Sequence, residues 1–145
     1  MASVFVDFGN STTTFSFASS DKINFNVGYE TLSNIHFKHN LPTPYQTELA
    51  IITIENAIES IYAKWQQVDK IFTNNEYVHF IVSHFGKNNQ ISTIEIEQLF
   101  NQVADVISGL PRQEVASLLL PDIIAILLIL REIIHHLGIE TIEVI

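Results

Sequence analysis

Residues 3–27 read SVFVDFGNSTTTFSFASSDKINFNV, and their apolar side chains predict three short β-strands at residues 3–8, 12–18 and 22–28. The segment between the second and third strands, residues 19–21, is short enough for a hairpin. Strands joined by such short turns run antiparallel. The chain is therefore expected to open with a three-stranded antiparallel meander.

Helix-start and helix-stop signals divide the rest of the chain. Thr43 and Ser92 each begin a capping-box pattern, with Gln46 and Glu95 three residues later able to bond back to the cap. Predicted helices span residues 32–37, 44–65, 76–85, 93–108 and 111–137, and predicted strands span residues 68–72 and 139–145. Pro121 either kinks the last helix or opens a new one.

The order of these elements is three antiparallel strands followed by strands that are reached through helices. This order resembles the ribonuclease H-like core of α/β proteins, in which a mixed sheet is flanked by helices. We predict one such lobe over residues 1–145, with about five strands of which the first three are antiparallel. A chain of 145 residues can bury enough surface to form this core without disulfides.

Composition and charge exclude several classes of function. The chain has 7 Lys and Arg against 16 Asp and Glu, a formal net charge of −9, so it lacks the basic surface of a nucleic-acid-binding protein. It has no cysteine, which excludes disulfides, thiolate metal sites and cysteine nucleophiles. The first residues do not form a basic segment before an apolar stretch, so we expect no signal peptide and a cytoplasmic location.

The longest apolar run, residues 123–130, is too short to cross a membrane, because a bilayer span needs about 20 residues. It is predicted to belong to a buried helix. Hydrophobic residues make up 47% of the chain and charged residues only 16%, which is apolar for a small domain. This composition indicates a face that is covered by a partner, either another lobe or a second subunit.

The clearest motif follows the first strand. Residues 6–14 read VDFGNSTTT and resemble the D-I-G-G-G-S-T-E phosphate loop of the exopolyphosphatase/guanosine pentaphosphate phosphatase family (Ppx/GppA), of the actin-like ATPase superfamily. Residues 28–33 and 68–73 are similar to the family's next strand-to-helix segment and to its strand before a G-T-G-G-T turn. Residues 109–144 resemble its closing helices and strand most closely. The resemblance covers nearly the whole chain, but only the second of the family's two lobes.

The resemblance implies a phosphate site at two turns. Asp7 would orient the attacking water or a Mg²⁺ ion held by the phosphates, because hard cations prefer carboxylate oxygen. The implied phosphate-binding residues are Gly9, Asn10, Ser11, Thr12 and Thr13 in the first turn, and Thr73, Asn74 and Asn75 in the second. The implied activity is hydrolysis of phosphoanhydride bonds of polyphosphate or guanosine pentaphosphate, in a cleft completed by a missing N-terminal lobe.

Several residues depart from the family pattern. Asn10 and Ser11 replace two loop glycines, which let backbone amides approach phosphate closely, and Thr14 replaces an acidic residue. Of the G-T-G-G-T turn only Thr73 remains, and the nearby Glu76 would repel a phosphate. We therefore expect no phosphoanhydride hydrolysis by this chain alone.

Each candidate also has a purely structural explanation. Asp7 could cap the turn at Gly9, the Ser- and Thr-rich turn could be an ordinary hairpin tip, and Asn74 and Asn75 could cap the next helix. The alternative functions are a nucleotide- or phosphate-binding module without catalysis, and a module that oligomerises with a second copy through apolar helices. The negative net charge favours a small phosphorylated nucleotide over long polyphosphate.

The six histidines form no recognised metal-binding pattern. His135 and His136 point in different directions as sequence neighbours, and we expect them to act as cations at the end of a helix. The other candidate pairs have no third ligand at a suitable spacing: His36 with His39, and His79 with His84. We therefore predict no metal site among them.

Overall fold

The computed structural model describes residues 2–37 and 41–145. Within these residues six strands form one sheet: β1 (Ser3–Phe8), β2 (Thr13–Phe17), β3 (Lys22–Phe25), β4 (Lys70–Thr73), β5 (Gln90–Ser92) and β6 (Thr141–Val144). Their order across the sheet is β3-β2-β1-β4-β6-β5. The first three strands are antiparallel, as predicted, whereas β4 pairs in parallel with both β1 and β6. The carboxyl ends of β1, β4 and β6 therefore lie at one edge of the sheet.

The described part of the chain also contains five α-helices: α1 (Tyr29–His36), α2 (Pro44–Glu59), α3 (Glu76–Phe85), α4 (Thr93–Ile107) and α5 (Pro121–Leu137). Both predicted capping boxes are formed. The Thr43 hydroxyl oxygen accepts the Gln46 backbone N–H before α2, and Ser92 accepts that of Glu95 before α4. Gly138 ends α5 in the left-handed region, with φ of 68°. Helix boundaries thus follow local sequence signals.

The helices cover one face of the sheet. Side chains on this face are buried, among them Val6, Phe15, Ile71 and Ile142 from four neighbouring strands. Helix α5 packs against α1, α2, α3 and α4, and each residue of its apolar run 123–130 is at most 4% exposed. This run is therefore the centre of the core, covered by the chain's own helices.

The opposite face of the sheet carries half-buried and exposed side chains. Phe5 and Asp7 of β1 lie across from Ser16 and Thr14 of β2 on this face, and none of the four is buried. Because alternate residues of a strand point to opposite faces, Asp7 is directed away from the helices. Its carboxylate is therefore accessible from outside the lobe.

The sheet has six strands in place of the predicted five or so. The additional strand, β5, is three residues long, and Ile91 is its only buried residue. A period-two pattern cannot be recognised in so short a segment. It is positioned by the preceding turn, where Asn88 and Asn89 have positive φ and the backbones of Lys87 and Gln90 bond to each other.

Helix α1 begins at Tyr29, three residues before its predicted start, and two later helix boundaries also differ from the sequence prediction. Helix α2 ends at Glu59 instead of near residue 65. The helical spacing of apolar residues continues past this end, because Ile61 is buried although it is no longer part of the helix. The segment predicted to open the last helix contains a 3₁₀ turn at Gln113–Leu118, and Pro121 begins α5 as a separate helix. Proline fits this first position because its missing N–H has no helical acceptor.

No helix within residues 2–37 and 41–145 is long and apolar enough to cross a membrane. One histidine of the sequence predictions, His39, lies outside the described residues, so its proposed pairing with His36 is not described.

Candidate functional site

The β1–β2 turn, residues 9–12, is closed by a backbone hydrogen bond. The Gly9 N–H donates to the Thr12 carbonyl oxygen at 2.9 Å, so this N–H is not capped by Asp7. A Cβ atom at Gly9 would lie 2.7 Å from the same oxygen, and the position therefore requires glycine. No residue of this turn has a positive φ. Asn10 and Ser11 consequently stand in place of the family's glycines without backbone strain.

Three successive amides of this turn are available to a ligand. Within the described residues, the backbone N–H groups of Asn10, Ser11 and Thr12 donate no backbone hydrogen bond. All three residues are exposed. Successive amides in a tight turn form a small concave site that attracts an anion. The turn therefore presents three exposed residues with unpaired backbone donors although two glycines are absent.

The same turn caps helix α1. The Asn10 carbonyl oxygen accepts the N–H groups of Glu30 and Thr31, both at 3.1 Å, and its side-chain Oδ1 accepts the Tyr29 hydroxyl at 2.6 Å. This close approach depends on Gly28, where a Cβ atom would lie 2.2 Å from the Asn10 carbonyl oxygen. The N–H groups of Glu30 and Thr31 at the amino end of α1 are thus already hydrogen-bonded to Asn10. The donors that remain for a ligand are the amides of the β1–β2 turn.

The β4–α3 turn lies beside the first. Asn75 Nδ2 donates to the Phe8 carbonyl oxygen at 3.1 Å, which joins the carboxyl ends of β4 and β1. Asn75 Oδ1 accepts the N–H groups of Tyr77 and Val78, at 2.9 and 3.1 Å, and so caps α3. Asn74 is exposed, and its N–H donates no backbone hydrogen bond to any described residue. The structure therefore brings together the two turns that the resemblance names.

Two of the predicted phosphate ligands use their side chains to hold the fold. Thr13 is fully buried, and its hydroxyl donates to the Val27 carbonyl oxygen at 2.8 Å. Thr73 is fully buried as well, and its hydroxyl oxygen accepts the Asn75 N–H at 3.3 Å. A ligand cannot reach these hydroxyls without opening the core. The exposed members of the predicted site are Asp7, Asn10, Ser11, Thr12 and Asn74.

The surroundings of the two turns are acidic. The Tyr29 and Tyr77 rings pack edge to face at the amino ends of α1 and α3, with centroids 5.2 Å apart. Partial burial raises the pKa of both phenols, and three nearby carboxylates raise it further: Asp122, Glu30 and Glu76. An anionic ligand meets negative charge here, so a cation bound beside it would favour its binding.

A cavity of about 330 Å³ opens beside this aromatic pair. It is lined by Tyr77 together with residues from α1 and from the amino end of α5, among them Ser33 and Asp122. The Ser33 hydroxyl donates to Asp122 Oδ1 at 2.6 Å. No sequence motif indicates this cavity, because its residues come from distant segments of the chain. Its volume is at the lower end of the range for small-molecule sites.

Asp7 lies in β1 just before the β1–β2 turn. It is exposed, and it directly precedes Phe8, whose carbonyl oxygen joins the two turns through Asn75. Its carboxylate supplies the hard oxygen donors that Mg²⁺ prefers. Asp7 is therefore the predicted site residue whose side-chain chemistry fits a Mg²⁺ ion.

No protein-family model and no curated protein matches this sequence. Solved structures do match. The PPX-GPPA enzyme of Aquifex aeolicus has a TM-score of 0.73 and 15% identity over 99% of this chain and 53% of its own. An exopolyphosphatase-like protein has a TM-score of 0.71 and 10% identity, over 99% and 55%. An exopolyphosphatase from Cytophaga hutchinsonii has a TM-score of 0.67 and 12% identity, over 99% and 52%.

These similarities confirm the predicted fold. The chain has the fold of one lobe of the Ppx/GppA structures, a mixed α/β sheet with helices, and it spans about half the length of the structures that it matches.

Proposed function

We propose that this chain, which has the fold of a Ppx/GppA lobe, is the phosphate-binding second lobe of a two-lobed phosphohydrolase. The observation that supports this most strongly concerns the backbone amides of Asn10, Ser11 and Thr12 and that of Asn74 in the adjoining turn: among the described residues they donate no backbone hydrogen bond. Preorganised N–H donors that converge at one edge of a sheet bind the oxygens of a phosphate chain.

Each part of the site has a role in this proposal. The turn amides bind the oxygens of the terminal phosphate and hold its phosphorus in position. Asp7 orients the water that attacks this phosphorus. When bound, Mg²⁺ neutralises charge on the phosphate oxygens, and Asp7 is the residue that would hold it.

A short phosphorylated nucleotide is the substrate class that we favour. A long polyphosphate would bring many negative charges to a chain of net charge −9, at an edge where Glu30, Glu76 and Asp122 are clustered. The cavity of about 330 Å³ beside Tyr77 leaves space for a group larger than phosphate, such as a nucleobase. Guanosine pentaphosphate and tetraphosphate belong to this class.

Hydrolysis in this proposal requires a partner lobe. The chain corresponds to about half of each similar structure, and its phosphate turns lie at one edge of a single sheet. A cleft that excludes water and supplies a catalytic acid needs a second wall. We therefore expect the isolated chain to bind phosphates without turnover.

A binding module without catalysis is the second candidate. Where the family has an acidic residue after its phosphate loop, the Thr14 hydroxyl donates to Asn24 Oδ1 at 3.2 Å, and this favours the second candidate. Adding a complete partner lobe and measuring phosphate release would separate the two, because only the first candidate gains turnover. Oligomerisation through α5 has less support, since the apolar run of this helix is buried within the chain.

Replacing Glu76 with Gln is expected to strengthen the binding of Mg²⁺-tripolyphosphate. Glu76 directly follows the β4–α3 turn and is exposed, so its carboxylate repels a phosphate bound at the turns. Removing one such charge in a partly screened environment gives roughly threefold tighter binding. Isothermal titration calorimetry at low ionic strength measures this change.

Glu140→Gln is the matched control for this experiment. Glu140 is also exposed, but it precedes β6 and so lies at the amino edge of the sheet, opposite to the turns. Its replacement is expected to leave the dissociation constant unchanged. Equal effects of both substitutions would mean that net charge, and not a site at the turns, controls binding.

A further inference from the structure

Two carboxylates and one imidazole meet between α2 and α5. His136 Nε2 lies 3.1 Å from Glu55 Oε2 and 3.3 Å from Glu132 Oε1. One ligand atom from each of the three residues can be chosen so that all lie within 4.8 Å of one another. Glu132 and His136 are one helical turn apart on α5, and Glu55 comes from the last turns of α2. We call these three residues the Glu-His cluster.

The carboxylate of Glu132 is unusual in its burial. Its side chain is 3% exposed within a helix that is otherwise apolar along most of its length. Arg131 Nη1 donates to Oε2 of Glu132 at 2.6 Å, but the same guanidinium also binds both oxygens of Glu97. The second oxygen of Glu132 faces the imidazole of His136. A buried carboxylate is stable only where positive charge compensates it.

Both ring nitrogens of His136 contact other side chains. Tyr62 Oη lies 3.4 Å from His136 Nδ1, the ring nitrogen directed away from the carboxylates. If Nδ1 carries the proton and donates it to Tyr62, the lone pair of Nε2 points between the two carboxylates. That lone pair would be repelled by their oxygens unless a cation lies among the three. Metal-bound histidines commonly donate their second ring N–H in this way.

The spacing of the donor atoms also fits a metal. In a tetrahedral Zn²⁺ site with bonds of about 2.0 to 2.1 Å, neighbouring ligand atoms lie roughly 3.3 Å apart. The two distances from His136 Nε2 to the carboxylate oxygens, 3.1 and 3.3 Å, are close to this value. One imidazole with two carboxylates is a donor set that binds Zn²⁺ and similar divalent ions.

We propose that the Glu-His cluster binds one divalent transition-metal ion of the Zn²⁺ type and thereby links α2 to α5. Three protein ligands leave a fourth position for water. Glu132 and His136 follow Pro121, the first residue of α5, by eleven and fifteen residues, which at the helical rise places them roughly 16 and 22 Å from the amino end of this helix. The cluster is therefore separate from the phosphate turns, and its metal does not depend on the proposed phosphohydrolase function.

Metal-free, untagged protein is expected to bind one Zn²⁺ and to become more stable. With about 100 μM Zn²⁺ the Tm should rise by about 5 °C, because an ion that binds only the folded state stabilises it by mass action. Co²⁺ should give the visible absorption of a four-coordinate site. Both measurements are made without phosphate, so their outcome is independent of binding at the turns.

His136→Gln should abolish the Zn²⁺-dependent rise in Tm, whereas His135→Gln should keep it. His135 is the neighbouring residue on the same helix, and its Nε2 contacts Glu97 instead of the cluster. Glu55→Gln, at a partly exposed position that is not part of the core, should weaken Zn²⁺ binding at least tenfold while the protein stays folded. Absence of a Zn²⁺ effect in the wild type, or an equal effect in wild type and Glu55→Gln, would overturn the proposal.

Discussion

Gly28→Ala is expected to destabilise the protein by about 3 kcal/mol or more, which lowers Tm by roughly 10 °C. A Cβ atom at Gly28 would lie 2.2 Å from the carbonyl oxygen of Asn10, 2.3 Å from its carbonyl carbon and 2.4 Å from the Ser11 nitrogen. All three are backbone atoms, so no side-chain rotation can relieve the clash. Either α1 or the β1–β2 turn must move, and the hydrogen bonds from Glu30 and Thr31 to Asn10 are then lost.

Thermal unfolding followed by circular dichroism measures this effect, with Gly109→Ala as the control. Gly109 has a φ of 100°, and a Cβ atom there would meet no other atom within 4 Å, so alanine introduces backbone strain but no clash. Gly109→Ala should therefore lower the free energy of unfolding by about 1 to 2 kcal/mol. If Gly28→Ala costs no more than Gly109→Ala, the close approach between α1 and the phosphate turn is not present in solution.

Phe15→Ala is expected to reduce the free energy of unfolding by about 3 to 5 kcal/mol. Phe15 is fully buried between the sheet and the helical layer, and it makes edge-to-face contacts with Phe25 and Trp65 at centroid distances of 6.2 and 5.1 Å. Removing the ring leaves a cavity and breaks both aromatic contacts. Urea denaturation followed by circular dichroism gives the change in stability.

Phe5→Ala provides the comparison, because Phe5 lies on the opposite face of the same sheet. It is only partly buried, because its side chain points away from the buried face of the sheet. Phe5→Ala should lower the free energy of unfolding by only about 1 kcal/mol. Similar losses of unfolding free energy for Phe5→Ala and Phe15→Ala would contradict a sheet that is buried on one face and partly exposed on the other.

Local signals in the sequence predicted most of the fold. The capping boxes at Thr43 and Ser92 located the starts of α2 and α4, and Gly138 located the end of α5, because these residues bond to the backbone within a few positions. The turn at Gly9 was recognised for the same reason. A three-residue strand such as β5 carries no such signal, and its place depends on pairing with β6.

The candidate site was predicted only in part. The sequence indicated which turns carry polar residues, and the parallel pairing of β1 with β4 brings those turns together. Which hydroxyls are available depends on burial, and neither Thr13 nor Thr73 showed from the sequence that it would be enclosed. The Glu-His cluster could not be predicted, because Glu55 and His136 come from different helices that meet only in the folded chain.

We expect the amides of the β1–β2 and β4–α3 turns to bind phosphate. The most direct test is a two-dimensional amide NMR titration of this chain with guanosine tetraphosphate and Mg²⁺. We predict saturable shifts of Asn10, Ser11, Thr12 and Asn74 that are weaker without Mg²⁺. Absence of saturable shifts at millimolar ligand, or shifts confined to other surfaces, would contradict the claim.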